Sequence, residues 1–368
     1  MLGDPKLIYR QTFLLKSLKT VVSALLLIGG ISLLIGCTDD GKNTSAAVDM
    51  EVDMEVDMMP PDVGTTPDDR CPNAQARTQV LLAYPDRVEA FKQDEIGFEV
   101  EYYCTFLALY EQGITEATGI VEAANGNFYV VQAEGDAGGS VFLYSNNGEY
   151  LKKVGPDINL KEIQGIWSIG EQLVVWSKRS SNLYALNLEG EVQGPYQPPE
   201  QASSRLQNLT DLQYLGLDMD DKPRVLATFS DRPPQLFAAP FSPNFEVSEV
   251  GPAWAITTVS TPIGDKILIS GEVDGQDGGI IRYRPVVSGR NPPTSDGVMV
   301  YPTDPGYGDG LDLVHMDDGF FLLDTGTRGD GGVSVNSFNT SGFPQVQTPI
   351  ALEGTPYKIM RTLIFKDF

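Results

Sequence analysis

Several loops of the sequence carry aspartates among glycines, and such loops could hold a cation. Calcium takes six to eight oxygen ligands, at about 2.3 to 2.6 Å, and carboxylates from separate loops could supply some of them. Asp-Gly pairs are also ordinary turn sequences, in which the aspartate caps its own turn, and we prefer this simpler explanation. Calcium is therefore an optional cofactor of the expected site, and no other cofactor is predicted. The carboxylates concerned are Asp136, Asp277, Asp330, Asp304 and Asp309.

Residue types for nucleophilic or zinc chemistry are scarce. His315 is the only histidine, so any Ser-His-Asp or Cys-His mechanism would have to use it. The sequence has no G-x-S-x-G element to supply a serine nucleophile, and no H-E-x-x-H or C-x-x-C element to hold zinc. A lone histidine in the apparent strand LDLVHM is more often packed or hydrogen-bonded than catalytic. We therefore assign no catalytic residue.

The elements that must position these loops are short β-strands. Residues 119–155 read GIVEAANGNFYVVQAEGDAGGSVFLYSNNGEYLKKVG, which is four runs rich in Val, Phe and Tyr separated by turns. The turns contain Asn-Gly and Gly-Gly, and these residues adopt the positive φ angles that tight hairpins need. This stretch predicts one four-stranded antiparallel sheet.

The same pattern of strands and turns returns along the chain. Gly126 and Gly170 are 44 residues apart, as are Asp221 and Asp265. A period of about 40 to 50 residues with four strands per repeat predicts an all-β fold, a β-propeller, over residues 71–368. The further repeats lie in residues 169–192, 220–241, 264–285 and 318–342.

A sixth sheet can be assembled from the two ends of this region, so that residues 80–91 and 98–110 pair with residues 357–365. Such closure removes open sheet edges. We predict six blades, with seven as the alternative. Residues 284–308 fit no repeat and are predicted to be an insertion. The three tryptophans, Trp167, Trp176 and Trp254, are most simply placed between blades, although an aromatic at the channel mouth could stack on a sugar.

The repeats resemble those of NHL-type and related six-bladed propellers. The residues that carry the resemblance are Gly119-Ile120, Asn125-Gly126, Tyr129-Val130 and Asn147-Gly148, whereas Ala255-Ile256 lacks the glycine. The resemblance implies a six-bladed ring with ligands at the mouth of the channel. It does not imply an activity.

The first 36 residues have the layout of an export signal, with Lys6, Arg10, Lys16 and Lys19 before an apolar run. Leu34-Ile35-Gly36-Cys37 resembles the lipobox of bacterial lipoproteins. This resemblance implies cleavage before Cys37 and a lipid anchor on that cysteine. The alternative is an uncleaved membrane helix, because the apolar run is close to the minimum length of about 17 residues for a span. In bacterial lipoproteins an aspartate after the lipidated cysteine signals retention in the inner membrane. This sequence has Thr38 at that position, so outer-membrane sorting is expected.

Residues 37–70 are predicted to form a disordered acidic linker that includes the repeat DMEVDMEVDMM. The whole chain carries 50 acidic and 26 basic residues, a formal net charge of −24, so nucleic acid is not an expected partner. Once Cys37 is lipidated, Cys71 and Cys104 remain. A disulfide between them is expected in an oxidising compartment, and two separate buried thiols are the alternative.

These features predict a monomeric lipoprotein anchored to the outer membrane, on its periplasmic side or at the cell surface. The propeller would bind a protein, a glycan or a small molecule without catalysis, as a binding or scaffold module. The alternative is a calcium-dependent hydrolase similar to the lactonase propellers, with Asp136, Asp277, Asp330 and Asp309 near the metal.

Overall fold

The computed structural model describes residue 71 and residues 78–93, 100–196, 206–217, 221, 223–237, 246–247, 249–261, 264–284, 293–300, 310–316, 319–324, 333–339, 341–343, 350–352 and 354–361. All of them belong to one compact unit, Gly64–Phe368. The predicted signal peptide, Cys37 and the acidic linker lie outside the described residues. Within the described part of the chain, no helix has the length and apolar character needed to cross a membrane.

The regular secondary structure of the described residues is β-strand, apart from short 3₁₀ turns at Leu109–Gln112 and Gly135–Ala137. The strands are β1 (Thr78–Ala83), β2 (Val88–Gln93), β3 (Val100–Leu107), β4 (Ala117–Glu122), β5 (Phe128–Ala133), β6 (Gly139–Tyr144), β7 (Tyr150–Asp157), β8 (Ile163–Ile169), β9 (Gln172–Ser177), β10 (Asn182–Leu186), β11 (Val192–Tyr196), β12 (Leu209–Leu217), β13 (Pro223–Phe229), β14 (Gln235–Phe237), β15 (Ala253–Thr261), β16 (Gly264–Val273), β17 (Gln276–Arg284), β18 (Thr294–Val300), β19 (Gly310–Met316), β20 (Gly319–Asp324), β21 (Ser334–Asn339), β22 (Ile350–Ala351) and β23 (Lys358–Arg361).

These strands form six antiparallel sheets, which are the blades of a β-propeller. Blades 1 to 5 follow the chain as β4–β7, β8–β11, β12–β14, β15–β18 and β19–β22. Blade 6 has the order β23-β1-β2-β3 and therefore joins the two ends of the described region. The predicted all-β propeller and its six blades are confirmed, and the alternative count of seven is wrong.

Blade 1 illustrates why the sequence folds in this way. Its second strand, β5, reads FYVVQA and buries its first four residues, whereas the outermost strand β7 is mostly exposed. The turn between β4 and β5 uses Gly126 at φ +79°, a conformation that favours glycine. The Asn125 Oδ1 atom accepts a hydrogen bond of 3.0 Å from the Asn127 backbone N–H, which closes the turn.

Clusters of buried apolar side chains fill the interfaces between adjacent blades, and they close the ring. The cluster between blades 6 and 1 is as continuous as the others, so the ring leaves no open interface at the junction of the chain ends. The clusters include Tyr129 and Val175 (blades 1 and 2), Trp176 and Phe229 (2 and 3), Leu226 and Ile269 (3 and 4), Leu268 and Phe320 (4 and 5), Leu323 and Leu82 (5 and 6), and Leu81 and Ile120 (6 and 1).

Two links fasten blade 6. The closing strand β23 pairs with β1 through Leu82 opposite Ile359 and Ala83 opposite Lys358. A disulfide joins Cys71 to Cys104 in β3, with 5.0 Å between the Cα atoms, and the Cys71 backbone N–H donates to the Thr105 carbonyl. The predicted disulfide is therefore present, and it ties the start of the body to the outermost strand of blade 6.

The prediction of an insertion at residues 284–308 is wrong in part. Thr294–Val300 forms β18, the outermost strand of blade 4, paired with β17 in an irregular register. Its sequence TSDGVMV does not alternate clearly between apolar and polar residues, because an outermost strand buries little of either face. Blade 3 has three strands among the described residues, followed by an isolated bridge between Gln235 and Glu246.

Candidate ligand site at the channel mouth

A small cavity opens where the six innermost strands begin. These strands are β4, β8, β12, β15, β19 and β23, and residues at or beside the start of each one line the cavity, which has a volume of about 60 Å³. Because neighbouring strands are antiparallel, the hairpins between second and third strands lie on this same face, as do the connections between blades. We call it the channel face. The ligand site predicted for this face stays a prediction.

A bulge near the start of the innermost strand recurs around the ring. The register skips one residue in β4, β8, β12 and β15, and again between Gly310 and Asp312 in β19. A bulge re-aims side chains locally, and here it creates two successive rings of residues around the channel. Four residues at the bulges, together with Tyr357 just before β23 in blade 6, line the opening of the cavity and form the mouth ring: Thr118, Gln164, Thr210, Trp254 and Tyr357.

The residues that follow the bulges form a deeper ring, which differs strongly from blade to blade. Small residues occupy three positions and charged residues the other three. In ring order the residues are Gly119, Gly165, Asp211, Ala255, Asp312 and Lys358.

Asp211 joins blade 3 to both of its neighbours. Its Oδ1 atom accepts a hydrogen bond of 2.7 Å from the Trp167 Nε1–H in blade 2 and one of 2.8 Å from the Leu212 backbone N–H. Its Oδ2 atom accepts one of 3.1 Å from the Ile256 backbone N–H in blade 4. The carboxylate is only 7% exposed, so these bonds replace its lost hydration.

Asp312 repeats this arrangement two blades further on. Its Oδ1 atom accepts a 3.0 Å hydrogen bond from the Leu313 backbone N–H, and its Oδ2 atom accepts one of 2.9 Å from the Ile359 backbone N–H. Ile359 lies in β23 of blade 6, so this carboxylate holds the closing strand directly. In both cases the acceptor binds the amide that follows the deeper-ring residue of the next blade.

The glycine positions of the deeper ring bring blades close together. A Cβ atom on Gly119 would lie 2.8 Å from the backbone nitrogen of Ile166 in blade 2, which is too close. A Cβ on Gly165 would lie 2.3 Å from the indole of Trp167. Gly165 therefore leaves the space in which Trp167 reaches Asp211.

Lys358 adds a positive charge to a cavity that is also lined by the carboxyl groups of Asp211 and Asp312. Its side chain is partly exposed in the channel, and the pKa of its ammonium is raised because the carboxylates of Asp312 and Asp211 outweigh the effect of burial. Burial raises the pKa of Asp312 to about 7, with the negative charge of Asp211 adding to the effect and Lys358 opposing it. Burial likewise raises the pKa of Asp211, although Lys358 and the hydrogen bonds act in the opposite direction.

The predicted metal residues are not brought together in the described part of the chain. Asp136 is 95% exposed on the hairpin between β5 and β6, where it pairs with Arg179 at 3.3 Å and Lys161 at 3.9 Å. Asp304, Asp309 and Asp330 lie outside the described residues, and for Asp277 only the backbone, in β17, is described. The described residues contain no group of three or more His, Cys, Asp or Glu side chains that could hold a metal ion.

Sequence reasoning placed His315 correctly on an innermost strand, β19, but missed the charged cluster of Asp211, Asp312 and Lys358. One signal was available when the repeats of the chain are aligned with one another, because Gly119-Ile120 and Ala255-Ile256 then occupy the same position. The same position contains Asp211-Leu212, Asp312-Leu313 and Lys358-Ile359. In two of these pairs, Ala255-Ile256 and Lys358-Ile359, the amide of the second residue donates to the aspartate of the preceding blade.

Comparisons with known proteins agree on the architecture. No protein-family model and no curated protein matches the sequence. Among solved structures, a chain from a nidogen–laminin complex aligns with a TM-score of 0.51 and 12% identity, over 78% of this chain and 99% of that chain. A candidate 6-phosphogluconolactonase from Bacteroides fragilis aligns with a TM-score of 0.48 and 13% identity, over 78% and 85%. Virginiamycin B lyase from Staphylococcus aureus aligns at 0.39 and 8%, over 76% and 88%.

At 12% identity, the alignment with a TM-score of 0.51 supports the fold alone, and no argument rests on the other two. The chain is a six-bladed β-propeller with its blade 6 closed by strands from both ends. The finer resemblance to NHL-type repeats stays a prediction.

Proposed function

We propose that this chain is an exported, lipid-anchored binding protein whose β-propeller binds its ligand at the channel face without catalysis. In this proposal Cys37 carries the lipid, and residues 38–70 form an acidic tether that holds the propeller away from the outer membrane. The protein acts as a monomer, and nucleic acid is not a partner.

The observation that carries the non-catalytic part is the use of the channel carboxylates. The carboxylate oxygens of Asp211 and Asp312 accept hydrogen bonds from backbone and indole N–H groups, and the Lys358 ammonium lines the same cavity. A calcium-dependent hydrolase needs carboxylate oxygens that are free to hold the metal, and a fixed ammonium opposes a second cation. The arrangement supports a polar binding pocket in preference to a metal centre.

One observation favours the alternative, a lactonase-like or esterase-like hydrolase. A carboxyl group with a pKa of about 7, such as Asp312, is suited to general acid–base catalysis near neutral pH. The two functions make different predictions with calcium. A metal-dependent hydrolase requires calcium for lactone turnover, and calcium binding raises its melting temperature.

The experiment is calorimetry and thermal unfolding of the detergent-purified chain with millimolar calcium, combined with lactone and aryl-ester turnover assays. We expect no binding heat, no shift of melting temperature and no turnover above the buffer rate. Calcium-dependent turnover that is lost in Asp277→Ala or Asp330→Ala would establish the hydrolase in place of the binding protein. Asp231→Ala, in the hairpin between β13 and β14 of blade 3, serves as the matched loop variant, because Asp231 is not one of the predicted metal residues.

The anchor is tested separately in cells. Metabolic labelling with palmitate is expected to label the chain, and Cys37→Ser is expected to abolish the label and leave a larger, unprocessed precursor. Cys71→Ser is the matched control, because it removes a cysteine of the body and keeps the lipobox. Retention of label in Cys37→Ser would refute the anchor without affecting the channel-face proposal.

A further inference from the structure

Trp254 differs from the other two tryptophans, because among the described residues it belongs to no apolar cluster between blades. Trp167 and Trp176 both belong to the apolar cluster between blades 2 and 3, as expected from the sequence. The clusters of described residues that fill the blade interfaces do not include Trp254, which lies partly exposed beside the cavity. A large aromatic ring at the rim of a polar cavity is a stacking surface for a ligand.

Two further polar residues of the mouth ring line the cavity with Trp254. Gln164 of blade 2 is exposed, whereas the hydroxyl oxygen of Thr118 in blade 1 is buried and has no hydrogen-bond partner among the described residues. Thr210 is already used within the protein, because its hydroxyl donates to the Ala253 carbonyl at 2.7 Å and lies 2.8 Å from the Thr228 hydroxyl. The mouth therefore combines a partly exposed indole with an exposed amide side chain.

The charges below the mouth restrict the ligand further. A cationic ligand is disfavoured by the Lys358 ammonium, and an anionic ligand by the carboxylates of Asp211 and Asp312. Neither sign of charge is in excess by more than one group. A neutral group that both donates and accepts hydrogen bonds is compatible with all three side chains.

The size of the cavity sets the geometry. A volume of about 60 Å³ holds a few water molecules or a substituent of similar size, but it is much smaller than the roughly 300 Å³ or more that encloses a whole organic ligand. A ligand must therefore lie in the mouth, beside Trp254, and insert only a substituent into the cavity.

From these four features we infer that the channel mouth is a carbohydrate subsite for one neutral pyranose residue. The apolar face of the sugar ring stacks on Trp254, its hydroxyl edge meets Gln164, and a hydroxyl or hydroxymethyl substituent enters the cavity above Asp312 and Lys358. This inference rests on the proposed binding function and specifies the ligand class.

The test uses the full chain in a detergent without a sugar headgroup and measures saturation-transfer NMR with the methyl glycosides of glucose, galactose, mannose and N-acetylglucosamine. We expect at least one to bind at millimolar concentration. Trp254→Ala should weaken it about tenfold or more, because it removes the stacking surface. Gln164→Ala, at an exposed position that tolerates truncation, should weaken it about two- to tenfold. Tyr150→Ala is the matched control, since Tyr150 is 40% exposed on β7, the outermost strand of blade 1.

The charge argument has its own comparison. Two charged analogues of the best-binding methyl glycoside test this argument: the uronic acid, which is anionic, and the 2-amino-2-deoxy sugar, which is cationic. Each should bind about tenfold more weakly than the neutral sugar. The inference is overturned if none of the four glycosides gives saturation transfer. It is also overturned if transfer persists unchanged in both Trp254→Ala and Gln164→Ala. In those cases the absence of calcium-dependent turnover would leave the proposed binding function standing.

Discussion

Asp136 and Asp211 are both aspartates on the channel face, but they lie in different environments. Asp136 is 95% exposed in a hairpin of blade 1 and pairs with Lys161, just before β8, and with Arg179, in the hairpin between β9 and β10. Asp211 is 7% exposed in an innermost strand, and its three hydrogen bonds reach blades 2 and 4 as well as its own backbone. The first is a solvent-exposed carboxylate that pairs with two cationic side chains, whereas the second binds N–H groups in the interior.

This difference indicates which acidic residues contribute most to the stability of the propeller. Ion pairs in solvent contribute little, because water screens the charges and the side chains lose entropy on pairing. Buried hydrogen bonds to a carboxylate contribute more, and removing the acceptor leaves buried donors unsatisfied. We therefore expect the charged residues of the deeper ring to contribute strongly to stability and to the electrostatics of the cavity. The hairpin residues should affect both only weakly.

The largest expected effect is that of Asp211→Ala. This change leaves the Trp167 indole N–H and the Ile256 amide without their acceptor, and we expect it to lower the free energy of unfolding by about 3 to 4 kcal/mol. Urea unfolding measures the change. Asp136→Ala removes the same charge at the rim and should cost less than about 0.5 kcal/mol. Equal effects of the two variants would remove the distinction between the regions.

The pH dependence of stability is the next largest effect. The pKa of Asp312 is raised to about 7 in the folded chain, so the folded state binds the proton more tightly than the unfolded state, whose carboxyl has an ordinary pKa of about 3.9. Stability should therefore rise as the pH falls from 8 to 5, by about 2 to 3 kcal/mol from this group.

The comparison of wild type with Asp312→Asn isolates this contribution, because the variant cannot titrate there. Asp136→Asn is the matched control, since it removes the same formal charge from an exposed position. A difference between wild type and Asp312→Asn that stays constant from pH 8 to 5 would show that the carboxyl group is not held as the structure indicates.

A smaller effect separates two tryptophans of one cluster. Trp167→Phe removes the indole N–H that binds Asp211, whereas the Trp176 Nε1 atom has no hydrogen-bond partner in the described part of the chain. Both changes shrink a buried ring in the cluster between blades 2 and 3. We expect Trp167→Phe to be more destabilising than Trp176→Phe by about 1 kcal/mol in thermal unfolding. The reverse order would argue against the Trp167–Asp211 bond.

The smallest effect belongs to the hairpin ion pair. A double-mutant cycle of Asp136→Ala and Arg179→Ala should give a coupling energy below about 0.5 kcal/mol, and molar salt should abolish it because the pair is exposed. A coupling above about 1 kcal/mol would show that the hairpins hold adjacent blades together.

The sequence was sufficient for the blades and insufficient for the channel. Turns such as Asn125-Gly126 and runs such as FYVV are local signals, so the repeat, the six blades and the closure by both chain ends could be predicted. The pairing of Cys71 with Cys104 was predicted because assignment of Cys37 to the lipid anchor leaves two cysteines in an oxidising compartment, and it is present. β18 was missed because an outermost strand carries little pattern.

The channel cluster could not be predicted because it depends on bulges. A bulge shifts which side of an innermost strand faces the channel, and no local residue marks it in Thr210-Asp211 or Leu311-Asp312. Asp-Gly turns, by contrast, are recognisable from local sequence, so only their aspartates could be predicted as candidate ligands. The aspartates that combine across blades are separated by about a hundred residues, and only the closed ring brings them together with Lys358.

The most direct test of this account is an NMR titration of the backbone amides of Ile359 and Ile256 between pH 4 and 9. We expect the Ile359 amide, which donates to the Asp312 carboxylate, to titrate with a midpoint near pH 7 in the wild type and not in Asp312→Asn. An Ile359 amide that titrates with the ordinary midpoint of about 4, or that titrates equally in the variant, would contradict the buried carboxylate at the centre of the channel.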